Sequence, residues 1–155
     1  MFAANLALPW PQEPLTALWH AATLLREHRG DGHVAVLAAA GVSGRESTVL
    51  HCAAGAVPED YMKQTRHYDD DEWRGCKQSL AARGLLDGDG GMTEAGRNLK
   101  VQIEETTDAL SLRAFGALDD AEMNALLEAL TPVTRTVIAG SDIPAVTPMN
   151  LRRDF

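Results

Sequence analysis

Aromatic residues make up only 5% of this chain: three Trp, three Phe and two Tyr. With Val and Ile they total 20 residues, against 43 Ala and Leu. Ala and Leu favour helix, whereas β-branched and aromatic residues favour strand. Strand content is therefore expected to be very small, which excludes a parallel-sheet nucleotide fold and a β-barrel. The two cysteines, Cys52 and Cys76, have no CxxC spacing. Zinc ribbons and disulfide scaffolds drop out, and both thiols read as reduced and structural. No apolar run approaches the roughly 18 residues a membrane helix needs. Met1–Pro9 lacks the positive flank of a secretory signal, so the expected location is cytoplasmic, with no membrane partner. Basic residues are also short: 14 Lys and Arg face 22 Asp and Glu, giving a net charge of -8. A globally basic nucleic-acid binder is excluded, and any DNA contact must come from a local patch. What remains is one domain of 155 residues, large enough for a core without disulfides.

Residues 1–12 read as a lead-in around Pro9-Trp10-Pro11. Residues 13–139 read as the folded domain. Pro14 suits a first helical turn. Leu15, Leu18, Trp19, Ala22 and Leu25 then form one apolar helical face, expected to be inward, and Gly30 is expected to end the helix. Asp31 is expected to cap a second helix, Gly32–Ala40. Ser43-Gly44-Arg45-Glu46 reads as a capping box for a third helix, and Pro58 opens a fourth over Pro58–His67. Asp69 and Glu72 open a fifth, carrying Trp73, Cys76 and Leu80 on one face to Gly84. Asp87–Gly91 is a Gly/Asp-rich turn between apolar positions, which reads as a very short hairpin. Thr93 caps a long helix to Ser111 with Leu99, Ile103 and Leu110 inward. Asp119 caps a last helix bearing Met123, Leu126, Leu127, Leu130, Val133 and Val137. Residues 140–155 lack periodicity and read as a disordered tail.

The stretch Arg83-Gly84-Leu85-Leu86, a short turn, then Met92-Thr93-Glu94-Ala95-Gly96-Arg97 resembles the corresponding stretch of MarR-type transcription regulators. That resemblance spans about Pro58 to Ile138. It implies a mostly α winged helix-turn-helix with a minimal two-stranded wing, and long C-terminal helices serving a homodimer. Further forward, Leu18-Trp19-His20 and Leu25-Arg26-Glu27-His28-Arg29-Gly30-Asp31-Gly32-His33 resemble a bacterial family of uncharacterised helix-turn-helix proteins. Those usually carry another helical domain before this stretch, so the resemblance implies the C-terminal part of that architecture.

On the MarR-like reading, Pro58–His67 is the supporting helix and Asp70–Arg83 lies in the major groove of double-stranded DNA. Arg74, Lys77 and Gln78 would face outward, with Arg83 beside the wing. Arg and Gln can read guanine and adenine edges, and Lys can neutralise phosphate. Residues 63–100 hold seven cations and seven acids, so the whole net negative charge lies elsewhere. Against this stand Asp69-Asp70-Asp71-Glu72, which repel phosphate, and a wing with two acids and no Arg or Lys. Two functions are therefore expected. The first is a DNA-binding transcription regulator, with room for a small-molecule effector. The alternative is an interaction or small-molecule-binding module without DNA contact.

Trp19, His20, Glu27, His28 and His33 form the ligand-pocket candidates, at a corner that the Gly30 break would create. Their spacing matches no metal motif, so neither a metal nor another cofactor is expected. Ser43 already has a capping role, Cys76 lies on an inner face, and Gly88–Gly91 follows no real strand. No catalytic residue is assigned, and the chain is not expected to be an enzyme.

Overall fold

The computed structural model describes residues 1–140 and 143–151. Its helices are α1 (Phe2–Leu6), α2 (Pro14–Ala39), α3 (Gly44–Ala53), α4 (Glu59–Arg66), α5 (Asp70–Ala82), α6 (Glu94–Leu112) and α7 (Asp120–Ala139), with a 3-10 turn at Arg113–Phe115. The chain divides into two compact units. One comprises Met1–Gly44 and Asn98–Gly116, the other Arg45–Arg97 and Ala117–Phe155.

In the first unit, Glu13 caps α2 by accepting the N–H groups of Leu15 and Thr16 at 3.1 and 2.7 Å. Pro14 follows in the first turn. The helix then runs for 26 residues straight through Gly30, Asp31 and Gly32. The expected break at Gly30 does not occur. A glycine weakens a helix by about 1 kcal/mol relative to Ala, which tertiary packing readily offsets. Gly32 supplies that packing, since a Cβ placed there would lie 3.8 Å from Leu110 of α6. Asp31 caps no second helix. Instead it accepts the Phe2 N–H at 2.9 Å and so holds α1. Arg29 reaches α6 at Asp108 (2.9 Å) and Glu104 (3.3 Å). Leu37 and Ile103 are buried.

The inward face of α2 is only in part the one expected. Leu15 is 72% exposed and Trp19 77%. The chain buries His20 in full and Leu18 and Leu24 in part. Hydrophobic periodicity identifies an apolar face but not whether the same chain covers it.

The second unit has its core in Val49, Leu50, Val57, Met62, Tyr68, Trp73, Leu80, Leu85 and Leu86. The predicted two-stranded wing is absent. Among the described residues there is no strand, only an isolated antiparallel bridge between Leu86 and Met92. The fold is all-α, not winged. The reason lies in how few backbone groups are free between α5 and α6. Leu85 N–H closes the end of α5 on Leu80, and the bonds from Thr93 N–H to Leu85 C=O (3.1 Å) and from Asp87 N–H to Gly91 C=O (2.8 Å) flank the Leu86–Met92 bridge and are all the pairing there is among the described residues. The Thr93 hydroxyl bonds Gly84 C=O at 2.7 Å and also accepts the Gly96 N–H at 3.1 Å, capping α6. One residue per arm remains to pair, too few for a ladder. The turn itself is closed by the Asp87 carboxylate, which accepts from Asp89 and Gly91 N–H.

α7 opens on a capping box between Asp119 and Glu122. It contains no buried residue. Residues 143–151, the described part of the expected disordered tail, carry no helix or strand. Within them Thr147 is buried, and the Tyr61 hydroxyl donates to Val146 C=O at 3.0 Å. The remainder of that expected tail, at 141–142 and 152–155, lies outside the described residues.

Candidate nucleic-acid interface

The sequence places charges on α4 that suit its dipole: Glu59 and Asp60 in the first turn, Lys63 and Arg66 in the last. The helix ends on His67, in the left-handed conformation at φ 53°. His67-Tyr68-Asp69 is the turn, and the Asp69 side chain accepts the Glu72 N–H at 2.7 Å to start α5. Two helices joined through three residues, with a left-handed residue at the turn, form the helix-turn-helix supersecondary unit.

Tyr68 turns inward. Its ring meets Trp73 edge-on at 4.9 Å, and its hydroxyl donates to Arg45 C=O at 2.9 Å. Trp73 and Leu80, seven residues apart, are buried on one face of α5. The opposite face carries Arg74 and Gln78, one turn apart and both exposed. Lys77 is drawn back, with its ammonium 2.7 Å from Glu59 on α4 and its stem close beside Gly90. Arg83 is exposed just past the end of the helix. The four DNA-contact candidates thus resolve into an exposed pair, Arg74 and Gln78, a strut, Lys77, and a flanking Arg83.

The acidic start of α5 is organised as pairs. Asp70 holds Lys63, Asp71 holds Arg74 at 2.7 Å, and Glu72 holds Arg45 at 2.8 Å. Hydrogen bonding to Asp70 raises the Lys63 pKa, and hydrogen bonding to Lys63 lowers that of Asp70. These carboxylates mask cations and are themselves neutralised. From the sequence Arg45 reads only as part of a cap. Its partners are distant in sequence, so no local spacing could reveal them.

The pocket candidates of the first unit do not converge. Because α2 is continuous, the 13 steps from His20 to His33 span about 20 Å along its axis. Each imidazole instead has a partner within the unit. His20 meets Trp10 edge-on at 5.2 Å and His28 meets Phe2 edge-on at 5.4 Å. His33 Nδ1 lies 3.0 Å from Thr107 Oγ1. Glu27 pairs with its neighbour Arg26, and Trp19 points to solvent. Among the described residues no group of three His, Cys, Asp or Glu is placed to hold a metal ion. Burial, followed by Glu59, pushes the Cys52 thiol up to about 11, and burial also raises Cys76. Neither is an activated nucleophile. No described helix is long and apolar enough to cross a membrane.

No curated protein and no solved structure matches the chain at a significant level. A family profile described as a helix-turn-helix family matches residues 1–144, far beyond the α4–α5 motif and through both units. The chain belongs to that helix-turn-helix family.

Proposed function

We propose that this protein is a DNA-binding transcription regulator, MarR-like in the use it makes of its helices, that acts as a homodimer. α5 is the reading helix. Arg74 and Gln78 read base edges, and Arg83 approaches the phosphates. The observation that carries this reading is the division of α5. Trp73 and Leu80 fix one face in the core, which leaves Arg74 and Gln78 presented side by side on the other. Both side chains can make bidentate contacts to purine edges. The test is selection from random duplexes at low salt, followed by a salt titration. An enriched sequence is expected. Arg74→Ala should relax preference at one or two positions, costing about 1–3 kcal/mol. No enrichment, with no DNA retained even at low ionic strength, would sink the reading.

A second reading, an interaction module without DNA contact, is favoured by the ion pairs. Lys63, Arg74, Lys77 and Arg45 are each held by a carboxylate of the same unit. Every phosphate contact by Lys63, Arg74 or Lys77 has to displace one. The two readings part on the low-salt selection.

A further inference from the structure

We infer that Arg45, the second residue of α3, is the positioning residue that sets how α5 is presented. This rests on the DNA-reading proposal above. Four contacts converge on it. Its guanidinium lies over the Tyr68 ring, 4.0 Å from the centroid. Its Nε–H pairs with Glu72 at 2.8 Å, in the first turn of α5. Its Nη1–H donates to the Arg66 carbonyl at 2.9 Å, at the end of α4. Its own carbonyl accepts the Tyr68 hydroxyl at 2.9 Å.

One planar group thus ties three helices and the turn between two of them. The Arg66 carbonyl is among the last of α4, which have no partner within the helix, and Arg45 satisfies it. Glu72 is fixed at both ends, by the Asp69 cap on its backbone and Arg45 on its side chain. Tyr68 is clamped between the guanidinium and the buried Trp73. The turn therefore has little freedom to pivot about His67, and Arg74 and Gln78 leave it in one direction. A Lys cannot replace this arrangement. An ammonium lacks the fork that serves Glu72 and the Arg66 carbonyl while its plane stacks on Tyr68.

Three proteins test this: the wild type, Arg45→Ala and Arg45→Lys. Tyr68→Phe, which removes only the hydroxyl bond, serves as a fourth if Arg45→Ala does not fold. Affinity is measured for the selected duplex and for a scrambled one across a salt series. The ratio of the two should fall roughly tenfold in Arg45→Ala, about the value of one base contact. The salt slope should stay unchanged, because Arg45 makes no phosphate contact. Arg45→Lys should lose the ratio as well while keeping its melting temperature near the wild type's. A merely stabilising role would lower the melting temperature and leave the ratio of folded protein intact, and that result overturns the inference. Amide exchange supplies a readout without DNA. Exchange over residues 67–73 should accelerate about tenfold in Arg45→Ala, with the Ile103 region unaltered. Unchanged exchange at the turn overturns the clamp whether or not DNA binds. A wild type that enriches no duplex removes the DNA reading and Arg45's part in recognition together, and the exchange result still decides the clamp.

Discussion

Trp73 carries both the core and an unmet hydrogen bond. It is 3% exposed, and its Nε1–H is buried with no hydrogen-bond partner among the described residues. Truncation to Ala removes the indole from the centre of the second unit and should cost about 3–5 kcal/mol by denaturant unfolding. Trp73→Phe should cost far less, under about 1.5 kcal/mol, because the smaller ring also removes a donor that was desolvated without compensation. Equal costs for the two variants would show that the indole N–H has a partner. In the first unit, His33 makes a pH-dependent contribution. Thr107 is fully buried and its hydroxyl donates to Ile103 C=O at 2.7 Å, so His33 Nδ1 must carry the proton it shares with Thr107. Burial holds the imidazole pKa below its ordinary value, Glu104 opposes this, and Arg29 and Lys100 reinforce it. A base depressed in the folded state contributes stability fully above its unfolded pKa of about 6.5, and that contribution is lost as pH falls through the lower folded value. Melting temperature should therefore drop on acidification below neutrality. In His33→Asn, which keeps a donor and does not titrate, that part of the drop should vanish. Parallel curves for the two proteins would refute the assignment.

At the scale of elements, two helical glycines have opposite roles. A methyl at Gly96 would lie 2.2 Å from the Leu85 carbonyl oxygen, so α6 packs its backbone directly against the chain leaving α5. Gly96→Ala must move one or the other and should destabilise strongly. A methyl at Gly32 would meet Leu110 at 3.8 Å, an ordinary contact, and Gly32→Ala should gain about 0.5–1 kcal/mol of helix propensity. If both variants melt alike, the close approach at Gly96 is absent. The start of α5 supports a further prediction. Asp71→Asn frees Arg74 from its 2.7 Å ion pair and should tighten DNA binding while steepening the salt dependence. Weaker binding would mean that Asp71 orients Arg74 and does not mask it. The same elements show what sequence can reveal. The caps at Asp69, Thr93 and Asp119 were legible because a cap is a contact over three residues. The buried Trp73 and Leu80, and the outward Arg74 and Gln78, followed from helical period alone. Gly30 misled because a local breaker rule takes no account of Leu110 against Gly32. The Gly/Asp turn is legible too, but its strands do not form, because α5 closes at Leu85 and α6 is capped from Thr93, which leaves one residue per arm. Arg45 was not legible at all, since its partners meet only when three helices have packed.

For the whole molecule, the question is what covers the apolar surface that the chain leaves bare. α7 has 20 residues and buries none of them fully, and Leu127, Val133 and Val137 are exposed. A helix in a protein takes most of its stability from packing an apolar face. It also contains Pro132, which withholds one backbone N–H from the helix. In the first unit, Leu15 and Trp19 present a second such face on α2. In the proposed homodimer a second copy would cover both faces. Electrostatics then sets a sign that separates this association from DNA binding. Each copy carries -8, so two copies repel, and added salt screens the repulsion. Dimerisation should strengthen as salt rises, whereas DNA binding should weaken. Sedimentation equilibrium on the order of tens of micromolar should show a dimer, and the melting temperature should climb with protein concentration, as it does when folding and association are linked. Trp19→Glu and Leu127→Glu each place a charge on one of the two faces without touching a buried residue. Each should shift the equilibrium towards monomer, with helix content preserved if the variant face, and not the fold, is what fails. A monomer for the wild type at about 0.15 M salt and again at higher salt would show that these faces are not joined by a second copy.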